Sequence, residues 1–389
     1  ARPAEHLVED VAEHRAEIEA LRTAEAAGPA GAHATLEGGR GCTVASSGHA
    51  AQVLALFPLM SPGSEIVAAS RLYGGSLQQM RNTYPKFGWK ANIVDADQTD
   101  NFKRAVTDKT KAFFIESLAN PGGVVSDIEA IARIAEDAGV PLIVDNTMAT
   151  PFLCKPIDHG ATIVLHSTTK FLSGTGTSMG GAIVDSGKFD WSKGGKFPSL
   201  AGPEPAYHGL NFHETFGDMA YTFHCHAVGL RDLGPNQAPF NAWITMLGIE
   251  TLGLRMERHC ANAQKVAQHL EKHPAVAWVN YPGLPSHPDH ANAKRYLGGR
   301  DGAILGFGMA PQDQVHVSVA SEAGSSTQKM LAIARRHVGY VHDHGQVSGV
   351  EIRIPGGRPH DFGAQAKIAL DESGRFNVVP GLIQSDWQR

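Results

Sequence analysis

The stretch that decides the fold is Ala161-Thr162-Ile163-Val164-Leu165-His166-Ser167-Thr168-Thr169-Lys170. Its first half is apolar and partly β-branched; its second half turns to hydroxyls and a lysine before a loop holding Gly174, Gly176, Gly180 and Gly181. A short apolar run bounded by turn residues fits a strand buried on both faces, as in parallel sheets. Working outward, similar runs recur at 42–45, 65–68, 91–94, 111–115, 141–145 and 181–184, with helical stretches between them. This alternation predicts an α/β fold: a mainly parallel sheet covered by helices on both faces.

Outside that region the pattern changes. Leu7, Val11, Ile18 and Leu21 stand at helical spacing in 5–27, predicting an amphipathic arm that ends before Gly28-Pro29-Ala30-Gly31. Between 186 and 250 the sequence becomes rich in Gly, Pro, aromatics and His, and reads as surface loops and short helices. Residues 248–273 predict one long helix, with Leu252, Met256, Val266 and Leu270 among its apolar positions and Pro274 as its stop. Strand-like runs at 276–281, 303–307 and 350–354 predict a smaller α+β domain after it. The expected division is an arm over 1–35, a large domain over 36–247, and a linking helix with a small C-terminal domain over 248–389.

With 34 basic against 39 acidic residues, the net charge of −5 gives no basic footprint for nucleic acid or an anionic membrane. No apolar run approaches the roughly 20 residues a membrane helix needs. Glu5, Glu9, Asp10 and Glu13 argue against a signal peptide, so the expected location is cytoplasmic and the expected partner a small molecule. Cys42, Cys154, Cys225 and Cys260 form no CxxC and read as reduced, buried thiols.

Ligands of an open parallel sheet sit beyond the carboxyl ends of its strands, so the residues just after each run carry the chemistry. Lys170 lies at such an end beside hydroxyls and suits a Schiff-base lysine; the alternatives are a surface lysine or a phosphate contact. Asp145 ends an apolar run, where a carboxylate stays ionised only with a cationic or hydrogen-bonding partner; a pyridinium is one such partner, and a loop cap is the plainer role. Ser46-Ser47-Gly48-His49-Ala50 opens a helix and could seat a phosphate, although an N-cap serine explains it equally. Arg71-Leu72-Tyr73-Gly74-Gly75 puts an aromatic after another run, and Glu116-Ser117-Leu118-Ala119-Asn120-Pro121 an amide. His224-Cys225-His226 and His342-Asp343-His344 could share a strand face toward zinc, but no further ligands follow at recognisable spacing, and no metal is assigned. No GxGxxG occurs, which argues against a nicotinamide-binding Rossmann unit.

Together these stretches resemble, in order and approximate spacing, the cystathionine-γ-synthase-like family of pyridoxal-phosphate (PLP) enzymes of Cys/Met metabolism, and within it the branch that performs direct sulfhydrylation. Carrying that likeness are GHAAQVLALF (48–57), ESLANPGGVV (116–125), VDNTMATPFLCKPI (144–157), FDWSKGGKFPSL (189–200), YHGLNFHETFG (207–217), GLRDLGPNQAPFNAW (229–243), GIETLGLRMERHCANA (248–263) and YPGLPSHP (281–288). The resemblance implies PLP-dependent transferase fold type I, aspartate aminotransferase-like, with a PLP-binding large domain. It further implies that Lys170 forms the internal aldimine and shuttles protons, that Asp145 holds the pyridine nitrogen protonated, and that Tyr73 stacks on the ring. Asn120 would meet the ring hydroxyl, and Ser47, Gly48, His49, Ser167 and Thr169 would hold the phosphate. Arg353, in Val350-Glu351-Ile352-Arg353-Ile354, would grip the substrate carboxylate. The implied reaction is γ-replacement on O-acetyl-L-homoserine by sulfide or methanethiol, giving homocysteine or methionine and acetate; methionine γ-lyase or cystathionine γ-synthase chemistry, or a non-catalytic PLP-binding role, are the alternatives on the same scaffold. The implied assembly is a homotetramer of dimers that share active sites. The family's Tyr-x-Arg motif, whose arginine reaches the phosphate of a neighbouring subunit, has no counterpart in 1–35.

Overall fold

The apolar runs assemble into one seven-stranded sheet because most of their side chains are shielded on both faces. Its strands are β1 (Gly41–Ala45), β2 (Glu65–Ala69), β3 (Lys90–Val94), β4 (Thr110–Glu116), β5 (Leu142–Asp145), β6 (Ile163–His166) and β7 (Gly181–Asp185), in the spatial order β1-β7-β6-β5-β4-β2-β3. Strands β2 to β6 pair in parallel, and β7 runs antiparallel between β6 and β1. The computed structural model describes residues 28–309 apart from Pro121, and the strand segments His316–Ala320, Val350–Arg353, Ile368–Leu370 and Phe376–Val378. The expected arm over 5–27 and the His342/His344 pair lie outside the described residues.

Ile66, Val67, Phe113, Phe114, Ile143, Val144, Ile163 and Val164 are fully buried. Full burial of such a side chain contributes roughly 1.5–3 kcal/mol, which is why these strands read as continuous apolar runs. Helices α1 (Gly28–Glu37), α2 (Gly48–Leu56) and α3 (Ile128–Asp137) cover the sheet. Asp127 starts α3, its carboxylate accepting from the Ala130 N–H at 3.1 Å, and Ile128, Ile131 and Ala135 are its buried face.

The segment 186–250 holds the expected short helices, but it is not confined to the surface: Trp191, Phe197, Leu200, Phe212 and Tyr221 are buried in the core, and Trp191 stacks on Tyr221 at 5.1 Å. The Tyr221 hydroxyl donates to the Ala55 carbonyl at 2.7 Å. Its elements are too short to show a helical period. The long helix expected over 248–273 is present as α5 (Leu252–Glu271), beginning a turn later than expected because a separate helix, α4 (Pro239–Ile249), ends just before it. The break has a local cause, for the Gly248 carbonyl that a continuous helix would offer to Leu252 is taken by the Arg255 guanidinium at 2.6 Å and by the Thr251 N–H at 3.3 Å.

Strands β8 (Val276–Asn280), β9 (Ile304–Met309), β10 (His316–Ala320) and β11 (Val350–Arg353) make an antiparallel sheet, of which β10 was not expected. Val266, Ala267 and Leu270 of α5 pack with Tyr281, Leu305 and Phe307 in a second, smaller core. All four cysteines are buried and unbridged, as expected. Among the described residues, no helix is long and apolar enough to cross a membrane.

Candidate active site

The parallel strands end on one edge, and that edge gathers nearly all the residues singled out from the sequence. Ser47 follows β1, Tyr73 follows β2, Asn120 follows β4, Asp145 ends β5, and Ser167 to Lys170 follow β6. Register links them laterally: Glu116 of β4 pairs with Asp145 of β5, which pairs with Leu165 of β6.

Ser47 caps α2 in extended conformation, and its Oγ accepts from the Ala50 N–H at 3.1 Å. The capping role is therefore real, and the first-turn N–H groups of Gly48 and His49 still have no carbonyl inside the helix to bond. This turn is packed as a cradle. A Cβ at Gly48 would lie 2.7 Å from Ser167 Cβ, and one at Gly181 would lie 2.2 Å from the Ser47 carbonyl oxygen. Only glycine lets the two loops approach so closely. The Ser167 N–H donates to Thr147 Oγ1 at 2.8 Å, while Thr169 Oγ1 already accepts from the Gly180 N–H and donates to the Gly180 carbonyl at 3.1 and 3.3 Å. Of the hydroxyls named for phosphate, Ser47 is thus engaged as an acceptor and Thr169 as both donor and acceptor.

Tyr73 is 48% exposed, and its ring centroid lies 5.9 Å from that of His49. Lys170 is half-buried in the turn after β6, its N–H bonded to the Ser167 carbonyl at 3.2 Å. Asp145 Oδ1 accepts from the Thr147 N–H at 2.9 Å. Burial pushes the Asp145 carboxyl up, and the Thr147 donors, His166 and His49 pull it part of the way back. Beside it, Glu116 is 4% exposed; burial first and then the Asp145 charge push its carboxyl up, and the Tyr73 and Asn120 N–H groups pull it part of the way back. Two adjacent buried carboxyls at strand ends make an environment that gains from a cation, and a protonated ring nitrogen supplies one. Behind Asp145, His166 Nε2 lies 2.6 Å from Glu37 Oε1, which also accepts from Asn146 Nδ2 at 2.8 Å. With a small-residue phosphate cradle at one end, a carboxylate pair at the other and an exposed aromatic ring between, these residues fit PLP.

Two residues of the site were not anticipated. Glu116 was read only as part of a segment supplying Asn120, although it has the signature used for Asp145, an acid closing an apolar strand. Arg255 lies inside the expected long helix, where nothing in the sequence singles it out. Its guanidinium instead donates to the Phe171, Leu172 and Gly248 carbonyls at 2.7, 3.4 and 2.6 Å, and to Thr251 Oγ1 at 3.1 Å, clamping the turn that follows Lys170. Its acceptors come from distant sequence, so no local pattern announces it. Arg353 closes β11, where it pairs with His316; its side chain lies outside the described residues. His224 Nε2 lies 3.2 Å from Glu204 Oε2, and His226 Nε2 lies 3.2 Å from the Cys42 carbonyl.

Comparison with known proteins agrees with this geometry. The model of the Cys/Met metabolism PLP-dependent enzyme family matches residues 31–334. An O-acetyl-L-homoserine sulfhydrylase of Leptospira meyeri is 49% identical over 283 residues, covering 70% of this chain and 64% of the relative. A homocysteine synthase of Schizosaccharomyces pombe is 49% identical over 277 residues, covering 71% and 65%. The match therefore spans a little under two thirds of these relatives' length. Among solved structures, a Campylobacter jejuni putative O-acetylhomoserine (thiol)-lyase carrying N′-pyridoxyl-lysine-5′-monophosphate superposes with TM-score 0.70 at 37% identity, over 72% of this chain and 67% of that one. An O-acetylhomoserine sulfhydrylase of Wolinella succinogenes gives TM-score 0.65 at 36% identity, over 73% and 77%.

Proposed function

The chain belongs to the Cys/Met metabolism PLP-dependent enzyme family, and from that premise we propose that it catalyses γ-replacement on O-acetyl-L-homoserine, with sulfide or a thiol such as methanethiol displacing acetate to give L-homocysteine or methionine. The observation that carries this is the gathering of Tyr73, Asn120, Asp145 and Lys170 on one sheet edge, in a chain whose near relatives bear the sulfhydrylase name.

When bound, PLP supplies an electron sink that lets the carbons beside the substrate amine lose protons. The chain's own residues do the rest. The first turn of α2 with Ser47, Gly48 and His49 would hold the phosphate, together with Ser167 and with Thr169 once its hydroxyl turns from Gly180. The Asp145 carboxylate would hold a proton at the ring nitrogen, an ion pair that relieves its own unfavourable burial. Tyr73 would lie over the ring, and the Asn120 amide would meet the ring hydroxyl. Lys170 Nζ would anchor the cofactor covalently and then carry protons between substrate carbons. Arg353 would take the substrate carboxylate in a two-pronged hydrogen bond.

The same proposal divides the chain into an arm over 1–35, a PLP-binding domain over 36–247 and a small domain with its linking helix over 248–389, and places the protein in the cytoplasm. It also includes a homotetramer of dimers that share active sites. Phe240, Trp243 and Leu247 of α4 and Leu254 of α5, 45–65% exposed, form apolar surface of the kind a second subunit covers.

The test supplies O-acetylhomoserine and sulfide to the PLP-loaded protein and identifies the products. Homocysteine and acetate, lost in Lys170→Ala, are expected. Formation of α-ketobutyrate or cystathionine in their place, or turnover that survives Lys170→Ala, would contradict the proposal.

A further inference from the structure

Tyr73 and Asn120 follow different strands, yet their main chains converge on one side chain. Glu116 Oε1 accepts from the Tyr73 N–H at 2.5 Å, and Glu116 Oε2 accepts from the Asn120 N–H at 3.1 Å. Each carboxylate oxygen thus serves a different residue. Tyr73 needs such a tether, because its side chain is 48% exposed and is not locked by the core. Glu116 itself is rigid, closing β4 with 4% exposure in register with Asp145.

A buried acid next to another acid is a costly way to satisfy two N–H groups, since water or main-chain carbonyls could serve them without charge. A carboxylate nevertheless has a property the alternatives lack: two acceptors held in one plane at fixed separation, with no donor. We propose that Glu116 is a positioning residue that ties the main chains of Tyr73 and Asn120 to one carboxylate and so fixes the gap between the Tyr73 ring and the Asn120 amide into which the PLP ring fits. This rests on the PLP assignment above. Glu116 touches neither cofactor nor substrate; it acts through the two residues that do.

The chemistry of substitution follows directly. Glutamine keeps the shape but has one acceptor, so its amide NH2 faces an N–H, donor against donor. Aspartate keeps the charge and is one methylene, about 1.5 Å, too short to reach both groups. Both variants should release one or both tethers while the strand behind them stays packed.

The experiment removes PLP from the purified protein and measures its rebinding by absorbance, alongside deuterium uptake in peptides that span Tyr73 and Asn120. Glu116→Gln and Glu116→Asp should each weaken PLP binding roughly tenfold, the effect of one charge-assisted hydrogen bond, and speed uptake in both peptides. On a Tyr73→Ala/Asn120→Ala background, Glu116→Gln should cause no further loss of affinity. A general structural role would give the same loss on both backgrounds, and that result would overturn the proposal. So would wild-type affinity and uptake in Glu116→Gln and Glu116→Asp when the wild-type protein binds PLP and Asn120→Ala weakens it. A wild-type protein that binds no PLP would instead remove the PLP assignment on which the proposal stands.

Discussion

Replacing Gly75 by alanine should move stability and cofactor affinity in opposite directions. Gly75 lies in the short helix Gly74–Gln78, and a Cβ there would fall 2.5 Å from Tyr73 Cε1, 2.7 Å from His49 Cε1 and 2.8 Å from His49 Nε2. Carbon contacts are ordinarily favourable near 3.5–4 Å, so the rings must retreat by about 1 Å. All three contacts involve the far ends of two side chains, and Tyr73 is 48% exposed, so the rings can swing outward without disturbing the core. Meanwhile alanine is favoured over glycine inside a helix by about 0.8–1 kcal/mol. The thermal midpoint of the cofactor-free protein should therefore hold or rise by up to about 1 °C. Losing a well-placed aromatic stack is worth about 0.5–1.5 kcal/mol, which predicts roughly 2- to 10-fold weaker PLP binding. Calorimetry and a PLP titration on the same preparation decide it. Unchanged affinity would mean that the Tyr73 ring is not where the cofactor lies; a midpoint lower by several degrees would mean that the rings cannot yield.

Arg255→Met should leave the Phe171 and Gly248 carbonyls without their donor, costing about 2–4 kcal/mol and lowering the midpoint by about 2–5 °C. Arg255→Lys, which cannot span all the acceptors, should fall between, and an unmoved midpoint in both would show the clamp to be idle. Asp185 offers a pH test: burial, with the Asp218 charge adding, pushes its carboxyl up to about 7. The folded protein then holds this proton more tightly than the unfolded chain, where an aspartate titrates near about 3.9. Its contribution is intact below about pH 4 and is lost as pH rises toward 7, by on the order of 4 kcal/mol. Asp185→Asn keeps an acceptor for the Gly187 N–H, bonded at 3.0 Å, and should flatten that decline in denaturant melts; an unchanged slope would refute the assignment.

Most of the large domain was legible because its strands are buried on both faces and separated by helices, so apolar runs mark them within a residue or two. The site was legible for a related reason: ligands collect where parallel strands end, and Asp145 and Lys170 are conspicuous there because a charge directly after an apolar run is unusual. Legibility failed where burial was not periodic. Trp191, Phe197 and Tyr221 pack from short turns, which carry no signal of period 2 or 3.6. The start of α5 was placed a few residues early because what sets it, Arg255 capturing the Gly248 carbonyl, depends on where the 171–172 turn folds back. Glu116 was hidden by its own neighbour: the segment 116–121 drew attention to Asn120 and away from the acid that holds it.

All of the proposed chemistry depends on Lys170 as the attachment point of the cofactor. Reducing the PLP-loaded protein with borohydride and sequencing the modified peptide by mass spectrometry should find a pyridoxyl group on Lys170 and no other lysine. An adduct confined to another lysine, or none after incubation with PLP, would contradict it.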